Sequence, residues 1–164
     1  MIYTAMTVKA MRIAYEAHEG QTDHNGVPYI LHPVHLAEQM EDEISCTVAL
    51  LHDVVEDTDV TLEALEKEFP KEVTEAVALL THDKQSDYFD YIMALKAHPL
   101  ARKIKLADLA HNSDPSRAMA SGIPEEESIG LRKRYEKAVR ILTEDEKASA
   151  EHKKAIQIPE ETTV

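Results

Sequence analysis

The chain has 164 residues, 43% hydrophobic and 30% charged, which is ordinary for one globular domain with a sizeable core. Its 18 basic and 31 acidic residues give a net charge of −13, which argues against a nucleic-acid backbone as partner. A single cysteine excludes an internal disulfide framework, and the sequence shows neither a signal-peptide pattern nor an apolar run of membrane-spanning length. We therefore expect a cytoplasmic protein that binds neither nucleic acid nor membrane.

Helices account for the whole predicted fold. Four glycines and almost no sustained alternation of apolar and polar residues leave little case for a sheet. The sequence predicts helices over 4–18, 29–40, 44–56, 61–69, 71–80, 86–97, 99–112 and 124–142. We therefore predict an all-α domain over residues 1–142, a helical bundle. Residues 143–164 form a charged tail that is either a last helix or partly disordered.

The predicted helix over 29–40 carries two candidate metal ligands near its start. His32 precedes Pro33, and proline is tolerated in the first turn of a helix. A neutral imidazole held at this point could donate a nitrogen to a metal. His35 lies one turn further on and competes for that role. A capping or core histidine is the alternative interpretation.

The predicted helix over 44–56 ends in a polar cluster within an apolar run. His52 and Glu56 are four residues apart, as are Asp53 and Asp57, so each pair shares a face of a continuous helix. Placing a histidine and three acids beside a buried stripe is costly unless something compensates, and a divalent cation is the simplest compensation. A solvent-facing acidic helix end is the alternative.

The predicted helix over 99–112 carries Asp108 in an apolar stretch, where an acid is rarely left unpaired. Asn112 follows four residues later and Lys105 precedes by three, so both share its side of the helix. Lys105 is therefore the best candidate to bind a phosphate group of the substrate. A buried aspartate bonded to a helix N-terminus is the alternative, and His111 is either a supporting neighbour of the site or a helix-end residue.

Together these helices supply two imidazoles and two carboxylates. This donor set suits a borderline to hard divalent ion such as Mn, Fe, Zn or Mg. Four protein ligands leave room for water and a substrate oxygen on an ion that prefers five or six. The proposed ligands are His32, His52, Asp53 and Asp108.

The ordered motifs resemble the HD-domain metal-dependent phosphohydrolases, and more narrowly the hydrolase domain of the Rel/Spo alarmone enzymes and their small stand-alone relatives. The resemblance covers about residues 8–142. Its matching pieces are Ala-His-Glu-Gly-Gln at 17–21, Gly-Val-Pro-Tyr-Ile-Leu-His-Pro at 26–33, Leu-Leu-His-Asp-Val-Val-Glu-Asp-Thr at 50–58 and Lys-Leu-Ala-Asp-Leu-Ala-His-Asn at 105–112.

The resemblance implies an HD-domain helical bundle with the metal site between helices and with manganese as the metal. It implies that Glu56 and Asp57 are catalytic acids that orient or deprotonate the attacking water, with Tyr29 and Asn112 beside the nucleotide. A metal that acidifies water and a nearby carboxylate that accepts its proton fit such chemistry. The implied reaction removes the 3′-pyrophosphate from guanosine tetra- or pentaphosphate.

The sequence departs from the pattern of the alarmone hydrolases at three places, which concern the substrate pocket rather than the metal site. Alarmone hydrolases usually carry basic residues just after the Gly-Gln of the first loop, but here Gln21 is followed by Thr-Asp-His at 22–24. Asp23 should disfavour a polyphosphate nucleotide. Leu109 stands where Arg is usual, and residues 81–84 read Thr-His-Asp-Lys where Thr-Lys is common. A phosphohydrolase for another nucleotide, a metal- and nucleotide-binding regulatory module without turnover, and an acidic interaction protein are therefore alternatives.

Three further features are not expected to carry chemistry. The second His-Asp dipeptide, His82-Asp83, falls in a polar loop without a Glu-Asp extension. The His98-Pro99 pair is typical of a helix break. Cys46 is expected to be a buried bystander thiol.

Overall fold

The computed structural model describes residues 1–120 and 124–156, and it confirms the all-α architecture. Within that range, residues pair as in a strand only at one isolated bridge, between Thr22 and Pro28. No described helix carries an apolar stretch long enough to cross a bilayer. The helices in chain order are α1 (Ala5–Ala17), α2 (Leu31–Glu38), α3 (Glu43–Leu51), α4 (Val54–Asp57), α5 (Leu62–Glu66), α6 (Lys71–Leu80), α7 (Tyr88–Lys96), α8 (Pro99–Asn112), α9 (Pro115–Ala120) and α10 (Glu125–Ile156).

Helix α3 forms the centre of the core. Every residue from Ser45 to Leu51 is buried, and the helix packs against α1, α2, α6 and α8. A helix that is apolar or small on all sides belongs in an interior. Asp42 begins it as an N-cap, because its Oδ1 accepts the Ser45 N–H at 2.8 Å. The buried end of α3 therefore delivers the next residue, His52, to the middle of the protein.

The predicted continuous helix over 44–56 is wrong, because α3 ends at Leu51 and α4 begins at Val54. In an uninterrupted helix the Ala49 carbonyl accepts the N–H of residue 53. Here that carbonyl accepts a hydrogen bond from Nδ1 of His52 at 2.9 Å. His52 and Asp53 thus lie in a turn between two helices. The Asp57 N–H still donates to the Asp53 carbonyl at 2.9 Å, so these two residues remain one helical turn apart.

Other boundaries also differ from the prediction. Helix α2 begins at Leu31 rather than at residue 29, and α9 was not predicted. Helix α10 continues past residue 142 to Ile156, while Ala138 and Leu142 are buried in the core. The domain boundary at residue 142 and a separate tail stay predictions, and residues 157–164 lie outside the described range.

The first loop, residues 18–30, joins α1 to α2 and lies against α4. Gln21 donates a hydrogen bond from Nε2 to the Asp57 carbonyl at 2.9 Å, and its Oε1 lies 2.8 Å from Nδ1 of His18. Gly26 has a φ of 75°, a left-handed conformation that favours glycine. These contacts tie the loop to the end of α4, beside the cluster described next.

Candidate metal centre

Four polar side chains from three parts of the fold converge between the helices. His32 comes from α2, His52 and Asp53 from the turn after α3, and Asp108 from α8. Nε2 of His32 lies 3.6 Å from Oδ2 of Asp53 and 3.2 Å from Oδ1 of Asp108. One donor atom from each of His32, His52 and Asp53 lies within 4.8 Å of the others. The structure thus brings together all four residues proposed as metal ligands.

His52 shows why this cluster fits a metal ion. Its Nδ1 donates to the Ala49 carbonyl, so Nε2 of the neutral ring carries a lone pair. Nε2 is buried 3.0 Å from Oδ2 of Asp53, yet it makes no aligned hydrogen bond to any described residue. A buried polar atom without a partner is costly. A divalent ion that accepts imidazole and carboxylate donors would satisfy it.

The charges of the cluster also favour a cation. Burial disfavours the charged His52 ring, but the adjacent Asp53 carboxylate outweighs burial and raises the pKa of His52 to about 9, so the ring would release its Nε2 proton when an ion binds and takes the lone pair. Burial would raise the pKa of Asp53, but the neighbouring His52 lowers it to about 2. Asp53 therefore stays ionised near neutral pH, as a metal ligand must be.

Asp108 is surrounded by groups that keep it ionised. Nζ of Lys105 lies 2.7 Å from its Oδ2, and Nδ2 of Asn112 donates to its Oδ1 at 2.6 Å. Burial would raise the pKa of Asp108, but Lys105 holds it far below its usual range. Lys105 and Asn112 were predicted to contact the substrate. The structure places both on the Asp108 carboxylate, and their contact with a substrate stays a prediction.

Tyr29 connects the first loop to the cluster. Its hydroxyl donates to Oδ2 of Asp53 at 2.5 Å, and its ring packs 5.7 Å from that of His32. Burial and the Asp53 charge raise the pKa of Tyr29, so the phenol remains a donor. Tyr29 thus fixes one oxygen of Asp53, and its predicted place beside a nucleotide stays a prediction.

Glu56 and Asp57 border the cluster from α4. Oε2 of Glu56 accepts the His82 N–H at 2.8 Å, and Oδ1 of Asp57 lies 3.8 Å from Nζ of Lys84. Burial raises the pKa of both carboxyls, and the Asp53 charge raises each further. Raised pKa values move these acids towards the range in which a carboxylate is a useful proton acceptor.

His111 proves to be a neighbour of the cluster, whereas His35 does not belong to it. The His111 ring stacks on that of His32 with centroids 4.9 Å apart and planes inclined by 7°. Its Nδ1 lies 2.6 Å from Nδ1 of His32. His35 is exposed and stacks on His111 with ring centroids 4.1 Å apart. Of the two competing histidines in α2, His32 therefore lies in the cluster.

Sequence reasoning missed Arg117, which changes the interpretation of the first loop. Nη2 of Arg117 lies 3.0 Å from Oδ2 of Asp23, although 94 positions separate them in the chain. Asp23 Oδ1 also accepts the N–H groups of Asn25 and Val27 at 2.8 and 3.0 Å. The carboxylate of Asp23 is therefore paired in this structure, and its predicted repulsion of a polyphosphate stays a prediction. No local pattern could have revealed so distant a pair.

The three discounted features lie outside the cluster. Asp83 is exposed and His82 packs its ring 4.7 Å from that of Tyr91. His98 caps α8, since its Nδ1 accepts the Ala101 N–H at 3.2 Å. Cys46 is buried, and burial raises the pKa of its thiol.

Comparison with known proteins shows which family and which proteins this chain is similar to. A family model described as HD domain matches residues 10–119. The chain is 40% identical over 124 residues to the bifunctional (p)ppGpp synthase/hydrolase SpoT of Escherichia coli (strain K12), covering 64% of this chain and 18% of that protein. It is 46% identical over 82 residues to the guanosine-3′,5′-bis(diphosphate) 3′-pyrophosphohydrolase of Vibrio cholerae, covering 45% of this chain and 12% of that one. The chain thus spans less than a fifth of the length of these curated relatives.

A solved structure gives a more complete match. Its title is "A metazoan ortholog of SpoT hydrolyzes ppGpp and plays a role in starvation responses". It superposes with a TM-score of 0.68 at 26% identity, covering 88% of this chain and 86% of the solved one.

Proposed function

This chain belongs to the HD domain family, and we propose that it is a metal-dependent phosphohydrolase that releases pyrophosphate from the 3′ position of guanosine tetra- or pentaphosphate. The buried cluster of His32, His52, Asp53 and Asp108 carries this proposal, because it offers two imidazoles and two carboxylates beside two further acids. The activities named for the relatives suggest the substrate.

The four cluster residues would hold the metal, which we propose is manganese. When bound, a divalent ion polarises a phosphoryl oxygen and lowers the pKa of a water molecule. Lys105 offsets the charge of Asp108, and Tyr29 fixes one oxygen of Asp53. These contacts orient the ligands, as hydrogen-bonded neighbours of metal ligands generally do.

Glu56 is the proposed proton acceptor. The His82 N–H holds Oε2 of Glu56 in place, and the raised pKa of the carboxyl suits it to take a proton from water. The oxygen of that water forms a bond to the phosphorus attached to the 3′ oxygen. The bond from phosphorus to the 3′ oxygen then breaks, and this oxygen takes up a proton from solvent, which gives pyrophosphate and a 3′-hydroxyl. Glu56 returns its own proton to solvent. Asp57, one residue on, would orient the water.

The test is pyrophosphate release from guanosine tetraphosphate by the purified protein with Mn²⁺. A parallel panel of adenosine alarmones, NADPH and nucleoside mono- and triphosphates tests other substrates. We expect pyrophosphate from the guanosine alarmone and none from Asp53→Ala. Release from another nucleotide alone would keep the chemistry and discard this substrate.

Two outcomes would contradict an enzymatic function and favour another class of protein. A chain that retains metal and nucleotide without turning over any member of the panel is a regulatory binding module. A chain that retains no metal at all has only inherited the fold, and an acidic interaction protein becomes the better interpretation. The cytoplasmic location and the absence of nucleic-acid or membrane partners stay predictions.

A further inference from the structure

Arg117 lies at the wall between two cavities that meet beside the metal cluster. A cavity of about 350 Å³ is lined by Arg117 together with Tyr29 and His32. A neighbouring cavity of about 250 Å³ is lined by Arg117 together with Asn112 and Arg134. The Arg117 side chain is 25% exposed, so its head group is accessible from these spaces.

The smaller cavity is basic, although the chain as a whole carries a net charge of −13. Its described lining includes the arginines 117, 132 and 134 and a single carboxylate, that of Asp23. Asp23 already accepts two backbone N–H groups on Oδ1 and pairs through Oδ2 with Arg117. Positive charge is therefore in excess here, and a concave basic surface concentrates multiply charged anions.

The contacts of Arg117 are of a kind that a phosphate can displace. Its Nη2 pairs with Asp23, and its Nη1 lies 3.0 and 2.6 Å from the two ring nitrogens of His111. The Arg117 and Asp23 side chains are 25% and 12% exposed, so a ligand that displaces Asp23 must offer Arg117 an interaction at least as strong. Arginine binds phosphate through two parallel hydrogen bonds, which is a stronger arrangement.

We infer that Arg117 binds a phosphate group of the substrate that lies away from the reacting one, and that it exchanges Asp23 for this phosphate when the nucleotide binds. The inference rests on the proposed function, because it assumes a nucleotide with phosphates at two positions. It makes the Asp23–Arg117 pair a determinant of specificity, since a nucleotide with one phosphate group would leave Arg117 on Asp23.

The test is calorimetric titration with guanosine tetraphosphate of the full chain, loaded with Mn²⁺ and carrying Glu56→Gln in every sample, because the unsubstituted site is expected to cleave the nucleotide during the titration. A hydrogen-bonded charged group contributes enough that Arg117→Ala should weaken binding roughly 10- to 100-fold. Arg117→Lys should restore part of the loss. Asp23→Asn keeps an acceptor for the loop N–H groups but releases Arg117, so it should bind as tightly as the wild type or more tightly. Arg140→Ala, an exposed residue on α10, is the matched control and should not change binding.

A purely structural role for Arg117 gives a different pattern. If the pair only holds the first loop in place, Asp23→Asn and Arg117→Ala will weaken binding alike and lower the midpoint of thermal unfolding alike. That result would overturn the inference, as would unchanged binding by Arg117→Ala. Raising the ionic strength should weaken wild-type binding more than it weakens binding by Arg117→Ala.

Turnover separates this inference from the proposed function. A wild type that binds guanosine tetraphosphate through Arg117 without cleaving it would overturn the proposed function alone. A wild type that cleaves it, with the same KM after Arg117→Ala, would overturn the inference alone. A wild type that binds no guanosine tetraphosphate would overturn both.

Discussion

The chain contains two His-Asp dipeptides in contrasting surroundings. His52-Asp53 follows the buried helix α3, and the His52 side chain is 2% exposed. His82-Asp83 follows α6 and opens a polar loop in which the exposed Asp83 accepts the Gln85 N–H at 2.9 Å. The first dipeptide therefore presents side-chain donors to the interior, whereas the second uses its carboxylate to form a turn. The burial of the dipeptide itself decides which chemistry the same two residues can support, because both preceding helices end on a buried leucine.

The second dipeptide nevertheless supports the first. The backbone N–H of His82 holds Oε2 of Glu56, and Nζ of Lys84 lies 3.8 Å from Oδ1 of Asp57. Any residue except proline can supply a backbone donor. The loop therefore acts through its backbone and one exposed lysine, while the side-chain chemistry belongs to residues 52–57.

The largest expected difference between the two dipeptides is in metal content and turnover after replacement of Asp53 or Asp83 by alanine. Asp53→Ala removes a proposed metal ligand, and loss of a mere supporting neighbour of a ligand costs about 10- to 100-fold in metal affinity or activity. We therefore expect Asp53→Ala to lose bound metal and turnover beyond detection. Elemental analysis of the purified protein and pyrophosphate release measure the two effects.

Asp83→Ala is the matched control for this experiment. Its metal content and turnover should stay within about twofold of the wild type, because Asp83 contacts no cluster residue and surface substitutions have small effects. Equal losses in both variants would show that the burial of the first dipeptide is not what distinguishes it.

The next largest effect concerns Glu56, whose carboxylate accepts the backbone N–H of His82 from the second dipeptide. Loss of a positioned proton acceptor costs about 10²- to 10⁴-fold in rate, so Glu56→Gln should lose turnover by that factor and retain its metal. The exposed Glu66→Gln should change neither turnover nor metal content.

The pH dependence of the wild-type rate tests the same role of Glu56. Burial raises the pKa of Glu56 above 4.5, and a base must be ionised to act. The wild-type rate should therefore fall as the pH decreases through this raised pKa, and a pH-independent acidic limb would exclude Glu56 as the base.

The metal cluster could be predicted because its residues sit in short, distinctive motifs. His52, Asp53 and Asp108 each stand in an apolar run, where a polar residue needs a partner, and the resemblance of the ordered motifs implies that this partner is a metal. The break between α3 and α4 could not be predicted, because it depends on where the His52 ring bonds in the folded chain. The Asp23–Arg117 pair could not be predicted for a different reason, since it joins residues 94 positions apart.

A smaller effect tests the charge balance inside the cluster. Lys105→Met keeps most of the apolar stem but leaves Asp108 without its cation, and breaking a buried pair costs about 3 kcal/mol or more. Denaturant unfolding should show a loss of about that size. Lys103→Met is the control, because Lys103 pairs with Asp42 at the surface and should cost less than about 1 kcal/mol.

Lys105→Met should also reduce the part of the stability that the wild type loses in acid. Lys105 keeps the pKa of Asp108 below the ordinary value of 3.8, against the effect of burial. Stability from the ionised carboxylate is therefore present above pH 3.8 and is lost as the pH falls below it. A Lys105→Met protein with wild-type stability at neutral pH would show that other groups neutralise Asp108.

The smallest expected effect concerns Asp87, at the end of the loop that begins with the second dipeptide. Its removal should not affect the cluster around the first dipeptide. Asp87 caps α7, because its Oδ1 accepts the N–H groups of Phe89 and Asp90 at 2.8 and 3.1 Å. Removing an N-cap costs about 0.5–2 kcal/mol, so Asp87→Ala should lower the free energy of unfolding by that amount. Metal content should not change, because Asp87 contacts none of the proposed ligands. A loss of metal in this variant would mean that the loop after α6 holds the cluster together more tightly than its backbone contact with Glu56 implies.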